Sequence, residues 1–189
     1  MSQAAAKNTQ SSKFSVRDIC YTGLFAAVIA VMAQISLPMP LGDTMTMQPF
    51  AITLAAVVLG SKLSAMASLV YLILGAVGVP VLASFSGGID KFVGPTGGFL
   101  ISFPLMAYLI GLGVEHRNAF KGAFPLAVVV GTVGNYIVGV ILFVIVAHST
   151  VAVAISACVL PFIPTAIIKA VLACAIGLNI RKRIPGLKA

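Results

Sequence analysis

Charge is what this 189-residue chain has least of: 8% of its residues are charged, and only four, Asp18, Asp43, Asp90 and Glu115, are acidic. Tryptophan is absent, and histidine and cysteine number two and three. Each shortage excludes something. His116 and His148 fall in loops on opposite sides of the apolar runs, and no H-E-x-x-H occurs, so no metal centre is expected. Cys20, Cys158 and Cys174 have no metal or redox spacing and read as small apolar fillers, with no disulfide. Without a G-x-x-x-x-G-K-[ST] loop, "LGSKLS" at Leu59–Ser64 is a two-residue turn, not an ATP site. No paired catalytic groups, cofactor motif or G-x-S-x-G is present, so an enzyme is not expected.

What is there is apolar. Hydrophobic residues make up 60% of the chain and mean hydropathy is +1.12, far outside the range of soluble domains. The chain reads as an all-α, polytopic integral membrane protein forming one domain. Apolar runs cover about 19–37, 47–59, 63–79, 97–114, 123–147 and 151–178, which predicts six transmembrane helices. The expected layout is a flexible cytoplasmic segment over 1–16, a six-helix domain over 17–183 and a cytoplasmic tail over 184–189. The first run is too long for a signal-peptide core. The second is shorter than a full span, so it is tilted, extended by the preceding loop, or partly re-entrant. Pro161 and Pro164 predict a kink or split in the sixth.

Basic residues set the orientation. Lys7, Lys13 and Arg17 precede the first run, Lys62 follows the second, Arg117 and Lys121 follow the fourth, and Arg181, Lys182, Arg183 and Lys188 follow the sixth. Ten of the twelve Lys and Arg residues thus share one side, which places both termini in the cytoplasm, in a multi-pass plasma-membrane protein. The net charge of +8 is accounted for by this topology. Basic residues scattered at helix ends, with no aromatic platform, do not suggest a nucleic-acid partner.

The opposite side carries the turn chemistry. Its long loop, "GVPVLASFSGGIDKFVGPTGG", ends in Gly94-Pro95-Thr96-Gly97-Gly98 against an apolar run, where the backbone can approach a ligand closely or simply turn. Met32, Met39, Met45 and Met47 suit an adaptable apolar lid or plain filler. Lys169 is the outstanding residue, twelve positions before Arg181, or about 18 Å along a helix, too deep to snorkel comfortably. It needs a partner: Asp43 or Asp90 folding inward, carbonyls freed by the prolines, or a ligand carboxylate, the last being favoured. Gln48, Tyr71, Asn135 and Tyr136 are polar groups at membrane depth that hydrogen-bond between helices or together furnish a pocket. In the first run Ala26 and Ala30 form an Ala-x-x-x-Ala pair on a small-residue face, suited to internal packing or to a partner helix. Two functions follow: a binding subunit driven by partners, or a solitary carrier or channel for a small organic anion.

"MQPFAITLAAVVLG", "YLILGAVGVPV", "GPTGGFLISF" and "PFIPTAIIKA", in this order and spacing, closely resemble the BioY family, the biotin-specific S components of energy-coupling factor (ECF) transporters. The resemblance runs from about Arg17 to Arg183. It implies the six-helix S-component fold and high-affinity capture of biotin from outside. It also implies docking through Ala26 and Ala30 onto a transmembrane coupling protein (T component) driven by two ATPases, with the whole S component toppling in the bilayer. It further implies a prokaryotic cell membrane and, carried over residue by residue, that Gly94, Pro95, Thr96, Gly97 and Gly98 shape the pocket mouth and Lys169 is the polar anchor. The expected substrate site is Gln48, Tyr71, Asp90, Phe92, Pro95, Thr96, Gly97, Gly98, Asn135 and Lys169. One departure stands out. Many relatives read Pro-Gly-Asp where this chain has Pro164, Thr165 and Ala166, so a carboxylate that would take the ureido hydrogens is absent, and Asp90, Thr96, Asn135 or Gln48 must supply acceptors.

Overall fold

A computed structural model describes residues 15–38, 44–117 and 122–184. The amino-terminal segment, Lys7, Lys13, Met39, Asp43, Lys121, Lys188 and most of the tail lie outside these. Helix α1 (Val16–Ala33) leads to a two-stranded antiparallel hairpin, β1 (Ser36–Pro38) and β2 (Thr44–Thr46), with Ser36 opposite Thr46. Then follow α2 (Gln48–Leu59), α3 (Ser61–Ala76), short α4 (Asp90–Val93) and α5 (Gly97–Ile101), α6 (Phe103–Glu115), α7 (Ala123–Val146), α8 (Val151–Cys158) and α9 (Ile163–Arg183). All six apolar runs are helical. The fourth is interrupted at Ser102, and the sixth is split by a 3-10 turn over Leu160–Phe162, beside the two prolines that predict a break.

Three stretches, Val16–Ala33, Ala123–Val146 and Val151–Arg183, are long and apolar enough to cross a membrane; α2, α3 and α6 are shorter. The short second run is neither an isolated span nor a surface segment. It is the centre of the bundle: every residue of α2 but Pro49 is buried, as its all-round apolar sequence requires. Helices α1, α3, α6 and α9 pack around it. Helix α7 is the opposite case, burying only Gly131, Asn135 and Gly139. Their four-residue spacing forms one narrow inward stripe, and the exposed Val, Ile and Leu on the rest of α7 suit lipid.

The basic end is fastened by side chains on helix termini. Helices α2 and α3 are joined by Gly60 alone, at φ +86°, a turn one residue shorter than the spacing suggests. Arg181, 6% exposed, donates from Nη1 to the carbonyls of Val57 and Val58 at 3.2 and 3.1 Å. Glu115 accepts from the Ser61 amide at 2.7 Å and from its hydroxyl at 3.0 and 2.9 Å. A cation thus closes the carbonyl end of α2 and an anion the amide end of α3, the signs that the helix dipoles favour.

Candidate functional site

At the other end, a cavity of about 490 Å3 opens between α2, α5–α6, α7 and α8–α9. Its walls are largely apolar, including Phe99, Leu100, Phe103, Met106 and Phe162. Its roof is the chain between α3 and α5: Leu82, Ala83, Ser84, Ser86, Lys91 and Thr96.

The polar groups on the walls have fixed orientations. Gln48 starts α2 beside Pro49, a residue that the first helical turn tolerates because it lacks an amide hydrogen. Its Oε1 accepts from the Thr46 hydroxyl at 2.9 Å and its Nε2 donates to the hydroxyl of Tyr71. One amide hydrogen of Gln48 is left over. Tyr71 is fully buried and stands behind Gln48, outside the cavity lining. Asn135 spends both amide hydrogens, on the Phe99 carbonyl at 3.2 Å and the Ser102 hydroxyl at 3.0 Å, so its oxygen is the group left for a ligand donor. Lys169 donates to the Thr46 carbonyl at 2.8 Å and keeps two further N–H donors. Among the described residues its partner is therefore a backbone carbonyl, contributed by β2 and not by the proline-broken helix.

Gln48, Thr96, Asn135 and Lys169 are brought together around the one cavity, with Tyr71 in support. Asp90, Phe92, Pro95, Gly97 and Gly98 do not line it. The Asp90 side chain is 70% exposed and reaches Lys91 at 3.7 Å, so it faces out and is no ureido acceptor here. Phe92 packs on the core, and Pro95 is exposed. Gly97 and Gly98 are buried for packing: a Cβ on Gly98 would meet the Val138 carbonyl and Leu142 of α7, and one on Gly97 would strike the Phe92 carbonyl. Only Thr96 of the glycine-rich block touches the cavity.

Ala26 is 4% exposed, inside the domain with Phe25, Ile29 and Ala33, and Ala30 is half-buried against the same core. The inward face of α1 runs through Ala26, so in this conformation that residue is a packing contact and not part of an open docking face. Among the methionines, Met32 and Met47 pack on the core, while Met106 lines the cavity. Cys158 also lines it, closer to the site than an apolar filler.

Lys91, Thr53, Thr132 and Thr165 line the cavity without having stood out in the sequence. One signal marked Lys91: it is the cation of the loop opposite the basic end. Among the described residues the electrostatic pattern is plain: two cations, Lys91 and Lys169, line the cavity and no carboxylate does. Ala166 lies on the same wall, where an acidic side chain would offset them.

Known proteins resemble this chain in sequence and in fold. A family model described as the BioY family matches residues 6–186. A Thermotoga maritima protein named biotin transporter BioY is 41% identical over 169 residues, covering 88% of this chain and 97% of that one. A Rhizobium etli protein of the same name is 33% identical, covering 93% and 98%. In structure, the chain is similar to the S component for biotin from an ECF-type ABC transporter, with a TM-score of 0.81 at 25% identity, covering 89% of this chain and 93% of that one. The chain belongs to the BioY family.

Proposed function

We propose that this chain captures biotin in the cavity described above and serves biotin uptake as the substrate-binding S component of an ECF-type ABC transporter. The observation that carries the reading is a mostly apolar cavity of about 490 Å3 with two cations, oriented amides and, among the described residues, no carboxylate. Its size lies within the range of small-molecule sites, about 300–1,000 Å3. Biotin offers an apolar bicycle and valeryl chain, a ureido group and a carboxylate, and so matches each part.

The pose follows from desolvation. A carboxylate is least costly to bind where it stays near water, and the Lys91 side chain at the roof is 48% exposed. Lys91 therefore receives the carboxylate, while Lys169, whose N–H groups also hold Thr46, reaches the ureido oxygen. The oxygen of Asn135, with the hydroxyl of Thr96, takes the ureido hydrogens in place of the acidic residue that Ala166 replaces, and the spare amide hydrogen of Gln48 is a further donor to the ureido oxygen. The loop end faces outside and the basic end the cytoplasm of the plasma membrane, with six helical segments across the bilayer. A T component and two ATPases supply the drive.

Titration calorimetry tests the site: one biotin per chain is expected, and an uncharged biotin amide is expected to bind more weakly to wild type but equally to wild type and Lys91→Ala. A folded wild-type protein that does not bind biotin would overturn the reading. Uptake into liposomes is expected only when the T component and ATPases are reconstituted with it. Uptake by this chain alone would favour the solitary anion carrier.

A further inference from the structure

The roof of the cavity is held by one side chain that does not line it. Gln34 caps the end of α1, where Nε2 donates to the carbonyl of Ala30 at 2.9 Å. The same nitrogen donates across the molecule to the carbonyls of Val81 and Leu82, both at 3.1 Å. Its oxygen accepts from the amide of Phe85 at 2.7 Å. Two amide hydrogens are thus shared among three carbonyls, and the side-chain oxygen closes the ring on the far side of the turn. The Ser36 and Ser84 hydroxyls meet alongside, at 3.1 Å.

The segment so held is a strained one. Ser84 and Phe85 sit at φ 56° and 54°, successive left-handed positions that side chains disfavour. Leu82 pairs with Ser86 across the turn and plugs into the bundle at 2% exposure, where it lies close to Gly75. Phe85, by contrast, is 72% exposed, so the turn is not kept in place by burying its tip. Leu82, Ala83, Ser84 and Ser86 all line the cavity. A strained turn covers the ligand space, and its polar hold on the rest of the bundle runs mainly through one half-buried amide.

We propose that Gln34 is the latch of this roof: a positioning residue that touches no ligand, holds the 81–86 turn closed over the cavity and thereby sets the rate at which the ligand leaves. Strain at Ser84 and Phe85 favours the open turn, and the amide of Gln34 offsets it. The inference rests on the cavity being the ligand site but not on the ligand being biotin.

Cys158 supplies a reporter that does not need biotin, because it lines the cavity at 2% exposure. In the full chain carrying Cys20→Ser and Cys174→Ser, in nanodiscs, a water-soluble methanethiosulfonate reagent is expected to modify Cys158 about tenfold faster when Gln34→Leu removes the latch. Release of radiolabelled biotin is expected to accelerate by a similar factor while its association rate changes less than about twofold, a split that a general loss of packing would not produce. Gln34→Asn, one methylene shorter, is expected to act in the same direction and serves if the leucine variant does not fold. Unchanged Cys158 modification and unchanged biotin release in a folded variant would overturn the latch. If wild type fails to bind biotin while Cys158 modification still depends on Gln34, the ligand assignment falls and the latch stands.

Discussion

Replacing Lys169 with methionine keeps the length and apolar bulk of the side chain and removes only its cationic head. In the protein that head makes a 2.8 Å bond to the Thr46 carbonyl and lines the cavity. A hydrogen bond from a charged donor contributes about 1.5–3 kcal/mol, and each ~1.4 kcal/mol is a factor of ten in affinity. If Lys169 holds the ureido oxygen, Lys169→Met therefore weakens biotin binding by about 10- to 150-fold in titration calorimetry. Losing the tie to Thr46, a bond from the same charged donor, also frees the β-hairpin, at about 1.5–3 kcal/mol, or a fall in melting temperature of about 3–12 °C for a chain of this size. The two readouts separate the two jobs of one amine. A lower melting temperature with affinity unchanged within about twofold would refute the ligand role and leave Lys169 as a strut for the hairpin.

Asn135→Leu removes the proposed ureido acceptor and leaves the Phe99 carbonyl and Ser102 hydroxyl without that amide, so biotin affinity is expected to drop about tenfold or more by calorimetry. Gly98→Val drives a branched side chain into the backbone and Leu142 of α7, and little folded monomer is expected on size exclusion in detergent. Arg181→Met leaves the Val57 and Val58 carbonyls of α2 unpaired inside the basic end. At about 1–3 kcal/mol, this is expected to lower the melting temperature by about 2–12 °C while biotin affinity stays within about twofold, because the cavity lies at the other end of α2.

Periodicity and charge made the helical skeleton legible, since lipid-facing and core-facing runs differ little in hydropathy and all six are helical. They did not say which run is central. Helix α2 reads as a short, ambiguous span because its thirteen or so apolar residues are too few for a bilayer, whereas burial on every side relieves it of meeting lipid. The site was legible where a polar side chain interrupts an apolar run: Gln48, Asn135 and Lys169 stand out for that reason and converge on the cavity. It was not legible in the loops. Gly97, Gly98 and Pro95 carry the most specific local pattern but serve close packing and turning, and only Thr96 among them lines the cavity. Ala26 illustrates the same limit, since a small-residue stripe has the same spacing whether its partner helix belongs to this chain or to another. Lys91 was missed because a lone cation in a polar loop ordinarily means only a solvated surface.

One pattern on α9 ties these observations together. Lys169, Ala173, Gly177 and Arg181 recur every four residues on one face, with Gly177 against Val57 and Leu54 of α2. The two helices run parallel, so the twelve-residue step from Lys169 to Arg181 matches the step from Thr46 to Val58. Lys169, in the first half of α9, thus holds the strand that leads into the buried central helix, and Arg181, in the last turn, holds that helix's carbonyl end. The two grips differ in kind. Arg181 is buried and bound to two carbonyls at a helix terminus, beside a carboxylate that fixes α3, and neither carbonyl has another use. Lys169 holds one carbonyl of a hairpin strand with donors to spare, in a cavity whose roof is held by an amide on a strained turn. On the proposed function, the basic end is built to stay shut and the loop end to open, so ligand would exchange at the loop end. A route through to the basic end would have to break the Arg181 and Glu115 contacts first, and the toppling that the family resemblance implies would avoid that break.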